Sequence, residues 1–156
     1  MAQREWRNQN LEGSEWIEKV IEIKRTSKKT RGGNQIGFTA LVVSGDGKGK
    51  VGFSLGKAKD VASAIRKGMR EARKKAVELP LAEGTIPFPL KIKFKGARLV
   101  LRPGRPGSGL VAGGVIRTIA EAAGIKDLTA KILGSSDKNS NTQAVFKGFS
   151  RLKAYA

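Results

Sequence analysis

The chain has 156 residues, 31 Lys and Arg against 13 Asp and Glu, no His and no Cys, and a formal net charge of +18. Zero Cys excludes disulfides, thiolate metal sites and cysteine nucleophiles, and zero His removes the commonest general base and metal ligand, so most hydrolase machinery lacks its parts. A hydrophobic content of 39% supports a modest core, and the length allows one domain or two small ones.

No apolar run approaches the roughly 18 residues that span a bilayer, and Met1 to Ser14 is too polar for a secretory signal. The chain therefore reads as soluble and intracellular, with no membrane partner. Residues 1–15 carry 2 basic and 3 acidic groups, 16–79 carry 16 and 6, and 80–156 carry 13 and 4. That distribution excludes a basic tail on a neutral globule. Such an excess points to a polyanionic partner, and nucleic acid is the commonest polyanion in a cell.

In chain order, residues 1–15 lack periodicity and read as a mobile tail, with Trp6 a candidate for docking. Ile21 and Ile23 alternate with Glu22 and Lys24 as in a strand, which ends in a basic loop from Arg25 to Gln35. A second strand is expected at Ile36 to Val43 and a third at Val51 to Leu55. Between them Asp46-Gly47 is expected as a tight turn, both positions tolerating φ > 0. Asp60 reads as an N-cap, followed by a helical stripe of Val61, Ala62, Ile65, Met69, Ala72, Ala76 and Leu79 that Pro80 ends. Residues 80–89, with three of the five prolines, read as the linker between two domains.

Beyond the linker, Leu90, Ile92 and Phe94 alternate with Lys91, Lys93 and Lys95, so this strand carries a basic exposed face. Ala97 to Arg102 is its hairpin partner, Gly113 to Ala123 a helix closed by Gly124 in the left-handed region, and Leu128 to Leu133 another strand. A last helix holds Thr142, Val145, Phe146 and Phe149, with Asn139 or Ser140 as its cap. The fold class is α+β in two small domains, βββα over 16–79 and ββαβα over 90–156.

Several motifs invite chemical readings. The GxGxxG string at Gly47 to Gly52 precedes a strand where a dinucleotide site needs a helix, so it reads as a turn. Gly107 to Ala112 satisfies GxGxxA, with Asp127 the one acid placed to bind a ribose; with Arg102, Arg105 and Ser108, this loop is better suited to a polynucleotide backbone. The densest candidate is the first loop, where Lys24, Arg25, Lys28, Lys29 and Arg31 fall within eight residues around Ser27 with no acid, followed by Gly32-Gly33. Lys48, Lys50, Lys57 and Lys59 extend this RNA-binding set. No helix carries the Asn, Gln and Arg cluster that reads a major groove, so shape and backbone recognition of RNA fits better than sequence-specific DNA reading. The acids do not cluster in sequence, and no metal site, cofactor, small-molecule substrate or catalytic pair is expected.

The strings VSGDGKGKVGFSLGKAKDVASAI, GTIPFPL and LVAGGVIRTIAEAAGIKDLTAKILGSS together resemble the bacterial-type small-subunit ribosomal protein five family over about residues 16–150. The resemblance implies a first half like a double-stranded-RNA-binding domain without its first helix, and a second half with a left-handed βαβ crossover. It also implies binding to 16S ribosomal RNA near the head–body junction, beside the channel through which messenger RNA enters, with a part in decoding accuracy. Ribosomal proteins four and eight are the implied protein partners, with Gly107 and Arg117 near the interface with protein four and Arg25 to Gln35 as the hairpin that reaches toward the head. Alternatives are an RNA-binding module outside the ribosome and, because the second-half fold also occurs in enzymes, a phosphate-loop enzyme.

Overall fold

The computed structural model describes residues 16–154; the expected tail at 1–15 with its Trp6 lies outside them. Strands β1 (Ile17–Thr30), β2 (Gly33–Gly45) and β3 (Lys50–Ala58) form an antiparallel meander, followed by helix α1 (Val61–Lys74) and a two-residue strand β4 (Val77–Glu78) beside β3. The second half contains β5 (Leu90–Phe94), β6 (Ala97–Pro103), β7 (Leu110–Val111), helix α2 (Gly114–Ala123), β8 (Leu128–Ile132) and helix α3 (Lys138–Ala154). Its sheet runs β5-β6-β8-β7, antiparallel except for the β7/β8 pair that α2 connects. The architecture is α+β, with two short strands, β4 and β7, beyond the expected order.

The inner part of the first sheet, around residues 40–43 of β2, is buried on both faces. Ala40, Leu41, Val42 and Val43 are at most 2% exposed, because Ala40 and Val42 pack under α1 with Ala64, Ile65 and Ala72 while Val43 joins the core of the second half. A continuous apolar run is the sequence mark of such a strand, whereas a one-faced meander would alternate. On β3 the same division holds. Gly52 and Gly56 lie under α1, where any side chain would collide with the carbonyls of Ala72 and Ala64, while Val51 and Phe53 face the second half. Phe53 and Phe146 of α3 stack with ring centroids 4.6 Å apart.

Several boundaries differ from the sequence reading. Asp60 does cap α1, its Oδ2 accepting from the Ser63 amide at 3.0 Å, but the helix stops at Lys74. Ala76 and Leu79 leave the helical stripe, and Leu79 enters the shared core after β4. The Ile21/Ile23 alternation is interrupted by a bulge between Val20 and Glu22, so Ile21 packs on the shared core while Ile23 is paired with Ala40 on the α1 face. An extra bulged residue shifts every later side chain to the other face. Asp137, not Asn139 or Ser140, caps α3: its Oδ2 accepts from the Ser140 amide at 3.3 Å and the Ser140 hydroxyl at 2.8 Å. Within residues 80–89, Ile86 is 1% exposed and belongs to the core.

Helix α2 ends as expected, with Gly124 at φ 85. The turn between β2 and β3 instead spans four residues, with Gly47 and Gly49 in the left-handed region and Asp46 outside it. The Asp46 carboxylate accepts from the amides of Lys48 at 2.8 Å and Lys50 at 3.0 Å. Asp46 therefore shapes the turn with its side chain, as an Asx turn does.

Candidate nucleic-acid interface

What the sequence suggests is a basic loop is the far end of the β1/β2 ladder. Pairing continues to Thr30 opposite Gly33, leaving only Arg31-Gly32 as the turn, and the Thr30 hydroxyl donates to the Gly33 carbonyl at 2.7 Å. β-Branched Thr26 and Thr30 and the paired backbone favour extension over a loop. Residues 23–36 are exposed throughout. From Lys24 to Arg31 the strand advances about 23 Å at roughly 3.3 Å per residue.

The ladder distributes the cations. Arg25, Ser27 and Lys29 face one side opposite Phe38, Ile36 and Asn34, while Lys24 and Lys28 face the other opposite Thr39 and Gln35. Arg31 stands at the tip with Gly32 and Gly33. Thr39 is also the partner of Lys57, so Lys24, Thr39 and Lys57 form one row across three strands. The sequence gives no sign of this row, since 33 positions separate its lysines. Lys24 is partly neutralised, with its Nζ 3.7 Å from Glu22 and 4.0 Å from Asp137 at the start of α3. Among the described residues Arg25, Lys28, Lys29 and Arg31 form no ion pair. Hydrogen bonds from its own serine, with the serine hydroxyl first, hold the Asp137 carboxyl below its ordinary range.

Lys48 and Lys50 are exposed on the β2–β3 turn, and Lys59 precedes the α1 cap. The turn's backbone cannot cradle an anion. Its Gly47 and Gly49 amides donate to the carbonyls of Ala122 and Ala123 at 3.1 and 2.8 Å, tying the turn to the C-terminal end of α2. Beside it, Glu121 of α2 accepts from Lys19 of β1 and from Arg117 Nε at 3.3 Å. Lys19, then Arg117, hold this carboxyl below its ordinary range.

Arg102, Arg105 and Ser108 belong to the second sheet and its β6–β7 loop. Three amides of this loop are satisfied internally: Gly104 donates to Thr85 Oγ1 at 3.1 Å, Ser108 to the Arg105 carbonyl at 3.0 Å, and Gly109 to Asp127 Oδ1 at 2.9 Å. Asp127 is thus a buried support for the loop and not a ribose ligand. Gly107 has φ 83 but nothing within 4 Å, so it supplies a left-handed turn and no close approach within the chain. Arg117 already holds an acid of its own helix, although its side chain is 60% exposed. No group of three or more acids that could hold a metal occurs among the described residues, and no described helix is long and apolar enough to cross a membrane.

The molecule is an α+β protein of two four-stranded sheets whose longest hairpin is basic and exposed. The model described as ribosomal protein S5, N-terminal domain, matches residues 16–80, and that described as ribosomal protein S5, C-terminal domain, matches 92–156. The small ribosomal subunit protein uS5 of Treponema denticola is 47% identical over 138 residues, covering 88% of this chain and 80% of the relative. That of Lawsonia intracellularis is 43% identical over 139 residues, covering 89% and 85%. That of Picosynechococcus sp. is 41% identical over 158 residues, covering 100% and 91%. The chain belongs to the ribosomal protein S5 family, a family of structural proteins and not of enzymes.

Proposed function

We propose that the chain is a structural component of the small ribosomal subunit, bound to 16S ribosomal RNA in the cytoplasm. The hairpin Lys24 to Gln35 binds phosphates and steadies the head against the body, near the path of messenger RNA. The loop and helix carrying Gly107 and Arg117 meet ribosomal protein four, and protein eight is a further neighbour. In this position the protein influences decoding accuracy.

The observation that carries this reading is the hairpin itself. It extends some 23 Å with cations on both faces and the tip, enough to touch two RNA segments at once. Four of its five cations lack an acidic partner among the described residues, so their repulsion is relieved when a polyanion arrives. The test is a variant with Arg25, Lys28, Lys29 and Arg31 all changed to Gln, titrated with transcribed 16S ribosomal RNA over a range of salt. Each lost phosphate contact is expected to flatten the slope of log affinity against log salt by about 0.7–0.9. An unchanged slope, with the variant still folded, would overturn the reading.

A further inference from the structure

The second sheet has an open face of which the glycine-rich loop motif takes in only Arg102, at the end of β6. Helix α3 packs on the side of Leu90, Ile92, Leu99 and Leu101, with Gly148 allowing it to approach Ile92. On the opposite side alternate residues of the strands bring Lys91 and Lys93 of β5, Arg98 and Arg102 of β6, and Lys131 of β8 to one exposed surface. The register places Lys93 beside Arg98, and Val100 between Lys91 and Lys131. No acid stands on this face, and none of the five cations forms an ion pair among the described residues.

Resting on the RNA-binding reading above, we propose that this face is a second RNA surface, on which the phosphate backbone of structured RNA lies across β5, β6 and β8. Charge selects the ligand. Like charges directly opposite on a sheet destabilise it, so the Lys93/Arg98 pair carries a cost that phosphate removes. Strand spacing of about 4.8 Å and an alternate-residue repeat of about 6.6 Å hold the cations in a fixed array roughly 10 by 13 Å.

Recognition is of the backbone, since among the described residues the face has no aromatic ring on which a base could stack. An acidic protein surface is the less suitable occupant. The exposed apolar side chains on this side, Val111 and Leu133, stand at opposite ends, beside Thr129 and Arg98, and form no continuous patch that would anchor one. The outer edge of β5 adds to the positive field. Its Lys91 and Lys93 carbonyls accept from Arg151 and Lys147 of α3 at 3.2 and 3.4 Å, which closes the edge to another strand and leaves two more cations beside the face.

The test uses the full chain with Lys91→Gln, Lys93→Gln and Arg98→Gln combined, alongside the hairpin variant and the two sets together. Transcribed 16S ribosomal RNA is the probe, and thermal melting confirms the fold. The sheet variant is expected to flatten the salt slope by about 2 to 3, the combined variant by the sum of both effects, and Lys91→Arg with Lys93→Arg to keep the wild-type slope. Loss of slope with the hairpin set alone would overturn the second surface and leave the hairpin reading standing. No change with either set would overturn both. Unchanged RNA binding by the sheet variant, with poorer retention in subunits assembled from all their proteins, would assign the face to an acidic protein and overturn the proposal.

Discussion

The Gly49 amide donates to the Ala123 carbonyl at 2.8 Å, so a turn of the first sheet closes the last turn of a helix in the second half. Helix ends leave carbonyls without intrahelical partners, and here the partner comes from another part of the fold. A few residues away, Gly124 stands against the Gly47 carbonyl with no room for a side chain. The two halves are thereby joined backbone to backbone as well as through the shared core of Val43, Val51 and Leu79 with Ile119 and Val145.

That contact is expected to control stability. Gly124→Ala combines a left-handed φ of 85 with a collision on Gly47, and should cost about 2–4 kcal/mol, of which roughly 1–2 is backbone strain. Gly47→Val should also destabilise, because a branched residue there is strained at φ 73. The exposed change Lys74→Ala should remain within about 0.5 kcal/mol. Urea unfolding compares the three, and equal midpoints for Gly124→Ala and Lys74→Ala would mean that the joint contributes nothing.

A second glycine test separates packing from chain flexibility. Gly56→Ala must push α1 away from β3, whereas Gly32→Ala at the hairpin tip meets nothing within 4 Å. The first is expected to lower stability by about 2–4 kcal/mol. The second should be neutral or stabilising by up to about 1 kcal/mol, because Ala restricts the unfolded chain. Thermal melting of both variants checks the order.

The Lys19–Glu121–Arg117 network gives an acid-side pH dependence. Glu121 is held below its ordinary value of 4.5, with the Lys19 hydrogen bond as the largest cause. Its folded form therefore releases the proton more readily than its unfolded form. The stabilisation is complete above the ordinary value and is lost as pH falls through the lowered one. Glu121→Gln should reduce the fall in stability on the acid side of 4.5, and at neutral pH cost no more than about 1 kcal/mol, because the side chain is 38% exposed. Parallel acid limbs for wild type and variant in urea titrations would rule this out.

Decoding accuracy should respond to Gly107 and Arg117. Open space beside Gly107 admits a larger side chain, with about 1–2 kcal/mol of strain from the left-handed φ. Arg117→Leu removes a guanidinium that holds Glu121 on one side and is exposed on the other. On the proposed function, in which these residues meet ribosomal protein four, Gly107→Arg and Arg117→Leu are both expected to raise misreading with subunits still assembled. The check is the error rate of ribosomes carrying each variant at full occupancy. Wild-type rates would leave a purely architectural role.

Local signals in the sequence were enough for the Asp60 cap, the Gly124 stop, the Leu90/Ile92/Phe94 alternation and the density of cations from Lys24 to Arg31. Each depends on residues within a turn or two of one another, where side-chain chemistry and spacing act directly on the backbone. Tertiary structure decided the rest. Extension of the hairpin to Thr30 requires pairing across the two strands, and the bulge at Ile21 required the faces to be distinguished. That Gly52 and Gly56 are where α1 lies against β3 shows only once the helix is placed, and Leu79 continues a helical stripe until β4 takes the chain into the second core. The row from Lys24 to Lys57 and the five-cation face of the second sheet exist only through strand register. Register is a relation between distant segments, fixed by which faces are buried, and no local window of sequence contains it.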